Sequence, residues 1–359
     1  MEEQPSSADI EDVPARRLLP WLAVLIALSS LSASPAIARP KAMKPNTGKA
    51  GSPCRATPLK EADPGPAADL DSTSLGRAAP ALYEIGRPTS DPERHEPARR
   101  VMIIVHGGGW AFVGRTAMRS ERKVATKWRA AGWETVSVTY RACKRSVADV
   151  TRFYDLIRAR VGPSVPICVR GQSAGGHLAL MVAAKRPDVA CVISLASPTD
   201  FRSIRAQGRI EAANGGPAEL PAAATRVRNL AVSAFGRRKL RVRSPAALAS
   251  RIGARLLLAT AVDDVVIPQG QASSLANAVK ASRPEAYVDV VRVERGASAF
   301  VHGSASAAAS RDFDSHAANL VAPFGRAPLD AGPPLKPRRP SNPLGSFFQS
   351  FLGIFGPRR

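Results

Sequence analysis

The chain has 359 residues, 45% of them hydrophobic, which is enough apolar material for one large core. Its 51 basic and 29 acidic side chains leave a formal charge of +22, a balance that suits an anionic partner. Arginines are spread through every segment, however, and aromatics make up only 5%, so no basic stretch is interleaved with the aromatics that stack on bases. Nucleic acid is therefore excluded as the expected partner, and the charge reads as a compositional bias or as weak association with an anionic envelope or membrane surface.

At the N-terminus, Arg16 and Arg17 precede the apolar run "LLPWLAVLIALSSL", and "AIA" at Ala36 to Ala38 supplies a small-residue cleavage site. Residues 1–38 are expected to be an export signal, although the first dozen are acidic. The apolar run is shorter than the roughly 20 residues of a spanning helix, so cleavage is expected rather than anchoring, with the mature chain secreted or held in the cell envelope. Export makes disulfides available to the four cysteines. Cys54 and Cys143 lie in loop-like sequence and are the expected bridge. Cys168 and Cys191 lie in apolar strand-like runs and serve there as small hydrophobes as readily as bridge partners. No Cys/His spacing resembles a metal site.

Residues 39–79 are rich in Pro, Ala, Gly and charge and read as a linker, followed by an early strand in "ALYEIGRP". The β-branched runs "VMIIV" (101–105) and "TVSVT" (135–139) flank one helical pattern, "AMRSERKVATKWRAAG". A second, "SVADVTRFYDLIRARVG", leads to the strand "VPICV". Then follow a helix (174–185), a strand (190–196), an irregular stretch to about 250, a strand (255–260), a helix (269–281), a strand (287–294) and a helix (305–321). Strands alternating with helices predict an α/β domain over 80–322 with a mostly parallel, doubly wound sheet. The tail from Pro323 is Pro-rich and ends in "LGSFFQSFLGIFGPRR", which reads as disordered or as an amphipathic surface segment.

Ligands of such sheets sit beyond the carboxyl ends of the strands, and two glycine-rich motifs occur at such ends. Gly171 to Gly175 fits G-x-S-x-G, in which Ser173 occupies a sharp strand-to-helix turn that holds its Oγ clear of the sheet. The helix N-terminus there favours developing negative charge. About 65 residues earlier, "VHGGGW" (Val105 to Trp110) follows the strand "VMIIV". A glycine run lets main-chain N–H groups approach a tetrahedral oxyanion, so Gly108 and Gly109 are the expected donors, joined by the amide of Ala174.

The pair "HGGGW" and "GQSAGG", with "VTYR" at 138–141, resembles the α/β-hydrolase fold. Within that fold the pair resembles carboxylesterases and lipases similar to hormone-sensitive lipase, with kynurenine-formamidase-like and feruloyl-esterase-like proteins close by. The "LAPE" that often follows Tyr-Arg in the hormone-sensitive group is replaced here by "ACKRSV". The resemblance implies the chain order serine, acid, histidine. "AVDDVVIPQGQA" resembles the family's acid loop and assigns the acid to Asp264, with Asp263 as the alternative. Among His95, His106, His177, His302 and His316, the terminal histidine loop resembles "GASAFVHGS" and points to His302. His106 reads as a support of the oxyanion loop, His177 as a helix-packing residue. No cofactor or metal is implied. The insertion from about 201 to 245 stands where the family carries a cap.

The implied function is an exported serine esterase acting on a small carboxylic ester. An amidase of kynurenine-formamidase type would use the same residues, and a non-catalytic binding protein on a hydrolase scaffold is the alternative from another class.

Overall fold

The computed structural model describes Cys54, residues 83–88 and residues 98–325. The expected export signal, nearly all of the linker, His95 and the tail beyond Gly325 lie outside the described residues. Seven strands form the main sheet: β1 (Tyr83–Gly86), β2 (Val101–Val105), β3 (Glu134–Val138), β4 (Ile167–Gln172), β5 (Cys191–Leu195), β6 (Arg255–Ala261) and β7 (Val288–Val293). Their spatial order is β1-β3-β2-β4-β5-β6-β7. Only β1 runs antiparallel to its neighbour; the others are parallel. The chain winds outward through β3 on one side of β2 and through β4 to β7 on the other, so the loops leaving β2 and β4 diverge and open a crevice between them. Both glycine-rich motifs lie there.

The uninterrupted apolar strands follow from burial on both faces. In β2 the two-residue period sends Ile103 and Val105 to one core and Met102 and Ile104 to the other. The first core is completed by α3 (Ser146–Val161), α4 (Ala174–Ala183) and α7 (Gly270–Ser282), the second by α2 (Arg122–Ala130) and α8 (Ala307–Val321). Helix α4 is apolar all round because all ten of its residues are buried.

Two expectations are corrected. The single helix expected after β2 is broken into α1 (Arg115–Arg119) and α2, because Glu121 turns inward to meet Arg170 of β4. The stretch expected to be irregular up to about residue 250 contains α5 (Ile204–Ala213), α6 (Leu220–Phe235) and 3-10 turns between Arg237 and Arg251. In α6 the buried residues Ala223, Val227, Leu230 and Ala234 recur at three- to four-residue spacing, a pattern carried largely by alanine and therefore faint in hydropathy. Pro221 sits in its first turn, where a missing N–H costs nothing.

All four cysteines are bridged. Cys54 joins Cys143, and Cys168 joins Cys191, its register partner on the adjacent strand, with Cα atoms 4.5 Å apart. The apolar setting of the second pair and its bonding are thus compatible, since both side chains point into the core beneath α2 and α8. No described helix is long and apolar enough to cross a membrane.

A close backbone contact joins α4 to β2. A methyl group on Gly175 would stand 2.2 Å from the carbonyl oxygen of Val105 and 2.4 Å from that of His106. Both obstacles are backbone. Gly175→Ala is therefore expected to lower stability by about 3 kcal/mol, the upper range for overpacking. Urea unfolding measures it, and a loss below about 1 kcal/mol would contradict the close approach.

Candidate active site

Ser173 follows the last residue of β4 and caps α4 with φ 51° and ψ −123°. A non-glycine residue in that region stores about 1–3 kcal/mol of strain, tolerated where the surroundings fix it. Here its N–H donates to Leu195 O at 2.8 Å and its carbonyl accepts from His177 N at 3.1 Å. The side chain stands partly exposed at the strand end.

The loop from His106 to Trp110 lies directly against it. A methyl group on Gly107 would fall 3.4 Å from Ser173 Cβ. Gly108 has φ 108°, and its carbonyl accepts from Ala111 N at 3.2 Å and Phe112 N at 2.9 Å, which curls the loop into a tight turn. Among the described residues, the amides of Gly108, Gly109 and Ala174 donate no hydrogen bond, leaving three N–H groups for an oxygen from outside the chain.

Two buried histidines hold this loop. His106 Nδ1 donates to Gly107 O at 2.6 Å, and its Nε2 accepts from Thr139 Oγ1 at 2.9 Å, which in turn accepts from Gly114 N at 2.7 Å. The ring stacks on Tyr140, whose hydroxyl donates to the carbonyls of His106 and Gly107. His177 accepts from Trp110 Nε1 at 3.1 Å and donates from Nε2 to Arg243 O at 2.7 Å, tying the loop to the turns after α6. Phe201 and Phe235 close an aromatic cluster around the Trp110 indole. His106 is thus a loop support, and His177 does more than pack: it joins loop, helix and insertion. Burial pushes both imidazoles down to about 4.

On the β6 side, the adjacent acids face different partners. Asp264 is buried; its Oδ1 accepts from Val266 N at 2.7 Å and Ile267 N at 2.9 Å, and its Oδ2 lies 3.3 Å from His302 Nδ1. Asp263 accepts from the amide and hydroxyl of Ser304 and lies 3.7 Å from Arg295. Burial alone would raise the Asp263 carboxyl, but the Ser304 hydrogen bonds and the Arg295 charge hold it below the usual carboxylate range. His302 has φ 61°, and its carbonyl accepts from Val265 N at 3.2 Å. The segment from Gly296 folds into a small hairpin, β8 (Ser298–Ala299) with β9 (Ser304–Ala305), that presents His302 at its turn. Ser173, Asp264 and His302 all follow the carboxyl ends of parallel strands, on one edge of the sheet. His316, by contrast, lies on α8 with Nδ1 donating to Asp289.

Several residues at the site carry no strong sequence signal. Thr139 and Tyr140 appear only within "VTYR", and nothing local marks Arg243 as an acceptor for His177. Glu121 is a charge in a helical pattern, yet it is buried with Arg170 Nη1 at 3.0 Å and also accepts from Gln172, the residue before Ser173.

The histidine pair makes stability depend on pH. Both rings are held near 4 in the folded chain and return to about 6.5 on unfolding, so the unfolded state binds more protons between those values. Stability is therefore fully present above pH 6.5 and falls as pH drops toward 4. In His177→Gln the slope of unfolding free energy between pH 4.5 and 6 is expected to be shallower by about 1 kcal/mol per pH unit, read from urea midpoints.

No curated protein matches the chain in sequence. Among solved structures, esterase 2 of Thermogutta terrifontis, phosphonylated by sarin, is 17% identical with a TM-score of 0.51 over 68% of this chain and 90% of that one. A puromycin-hydrolysing peptidase of Mycobacterium tuberculosis is 18% identical with a TM-score of 0.51, over 69% of this chain but only 38% of the peptidase. At such identity these likenesses establish the α/β-hydrolase fold. The family model BD-FAE matches residues 90–279, more than half of the chain, from just before β2 into α7. The chain belongs to the BD-FAE family, hydrolases of the α/β-hydrolase esterase group.

Proposed function

We propose that the chain is an exported serine esterase that cleaves a small carboxylic ester through an acyl-enzyme. The observation that carries this reading is the division of labour around Asp264: one carboxylate oxygen is fixed by two backbone amides, and the other faces His302 Nδ1. A carboxylate so placed keeps the proton on Nδ1 and makes Nε2 the basic nitrogen. Ser173 Oγ attacks the acyl carbonyl as Nε2 takes its proton, and Asp264 stabilises the imidazolium that results. The carbonyl oxygen becomes an oxyanion, held by the amides of Gly108, Gly109 and Ala174. Collapse breaks the ester bond, and the alcohol leaves with the proton from Nε2. Water then repeats the sequence on the acyl group and regenerates Ser173.

The two disulfides support an oxidising compartment and so the expected export of residues after Ala38. A small substrate is supported by the insertion over the site. Its aromatics, Phe201 and Phe235, are already packed on Trp110, and the remainder of 201–245 is rich in arginine rather than large apolar groups.

The test uses the mature chain from Arg39 with short-chain nitrophenyl esters. Ser173→Ala is expected to lose at least about 10³-fold in kcat, and Asp264→Asn about 10²- to 10⁴-fold. Asp263→Asn, which loosens the Ser304 contact without facing His302, is expected to stay within about tenfold of the unaltered chain. Turnover surviving in Ser173→Ala would overturn the mechanism. Faster cleavage of aryl formamides than of esters would assign an amidase, and no turnover of either by folded protein would assign a binding role.

A further inference from the structure

The early turns of α3, the residues just after α4 and the turn at Arg243 border an open pocket of about 430 Å³. Four cationic side chains line it, Arg152, Lys185, Arg186 and Arg243, against one carboxylate, Asp155. That carboxylate is already engaged, with Arg186 donating to both of its oxygens. Among the described residues, Arg152, Lys185 and Arg243 have no carboxylate partner. Arg243 is half-buried, its guanidinium 5.7 Å from the Phe235 ring centroid, and burial lowers its proton affinity. The surroundings do not offset this charge, because the stretch from Phe201 to Arg251 holds eleven basic and two acidic residues. A partly desolvated guanidinium that shares a pocket lining with two further cations favours an anionic occupant.

We propose that this cavity binds a small, multiply charged oxyanion of the phosphate type. Its volume falls within the usual range for small-molecule sites, about 300–1,000 Å³. Arg152 and Arg243 supply planar forks suited to bidentate contact with phosphate oxygens, and Lys185 adds a point charge. The three uncompensated charges match a diphosphate or triphosphate better than a single carboxylate. Arg243 also links the cavity to the loop beside Ser173, since its carbonyl accepts from His177, which accepts from Trp110. The binding itself does not depend on the esterase reading, and it is measured in Ser173→Ala as well as in the unaltered chain.

The test is calorimetric titration of the mature chain with inorganic tripolyphosphate at fixed ionic strength. Saturable one-to-one binding is expected, weakened at least tenfold in Arg152→Ala/Lys185→Ala. Both side chains are exposed, so the fold is expected to survive, which the melting temperature checks. The control Arg209→Ala/Arg251→Ala removes the same charge from exposed positions outside the cavity and is expected to leave binding unchanged. A parallel arm uses phosphatidylglycerol vesicles. Vesicle binding that tripolyphosphate displaces and the cavity variant loses assigns the phosphate to a lipid headgroup at this site; binding of the soluble anion alone assigns it to a free oligophosphate. Equal weakening in both double variants, or no saturable binding of either probe, would overturn the proposal.

Discussion

The insertion of α4 into the ends of β2 and β4 governs the geometry of the site. Gly175 lies so close to the carbonyls of Val105 and His106 that no side chain fits, and the same contact presses the loop after β2 against Ser173. Ser173 and the amides of the glycine loop are therefore not positioned independently. The serine's left-handed backbone is strained locally and held by bonds to Leu195 and His177, so the cost is met by packing in the helix and sheet around it. Because α4 is buried on every side, small shifts at its N-terminus are resisted by the whole core.

Polar groups then stiffen what packing leaves loose. His106, Thr139 and Tyr140 fix the loop from the β3 side, while Trp110 and His177 fix it from the insertion. Trp110 is also held through its carbonyl, which accepts from Cys143, the residue bridged to Cys54. Both imidazoles are kept neutral by burial and serve as directional donor and acceptor pairs. Among the described histidines, His302, at the turn of its hairpin, is the one brought to Asp264, whereas His106 and His177 bond to loop and insertion groups.

Much of this was legible in the sequence because it depends on local pattern. Continuous apolar runs marked the strands, and the two glycine motifs marked the crevice, since backbone approach demands glycine wherever it occurs. The acid loop pointed to Asp264 with Asp263 as the alternative; what local pattern did not show is why the two differ, because that turns on which carboxylate faces His302 and which faces Ser304. The helices of the insertion were hidden by alanine, whose small side chains bury well yet weigh little in hydropathy. Glu121 and Arg243 were hidden for another reason: their partners, Arg170 and His177, are 49 and 66 residues away in the chain. The pairing of Cys168 with Cys191 depended on strand register, which only the assembled sheet defines.

The central claim is that the strained turn presents Ser173 as a nucleophile activated by His302. Covalent labelling tests this most directly. The chain from Arg39 is treated with diethyl 4-nitrophenyl phosphate and its mass and modified peptide are read by mass spectrometry. A single diethylphosphoryl group on the peptide containing Ser173, formed far more slowly in His302→Ala, is the predicted result. Labelling at another residue, or labelling of Ser173 at an unchanged rate in His302→Ala, would contradict the account.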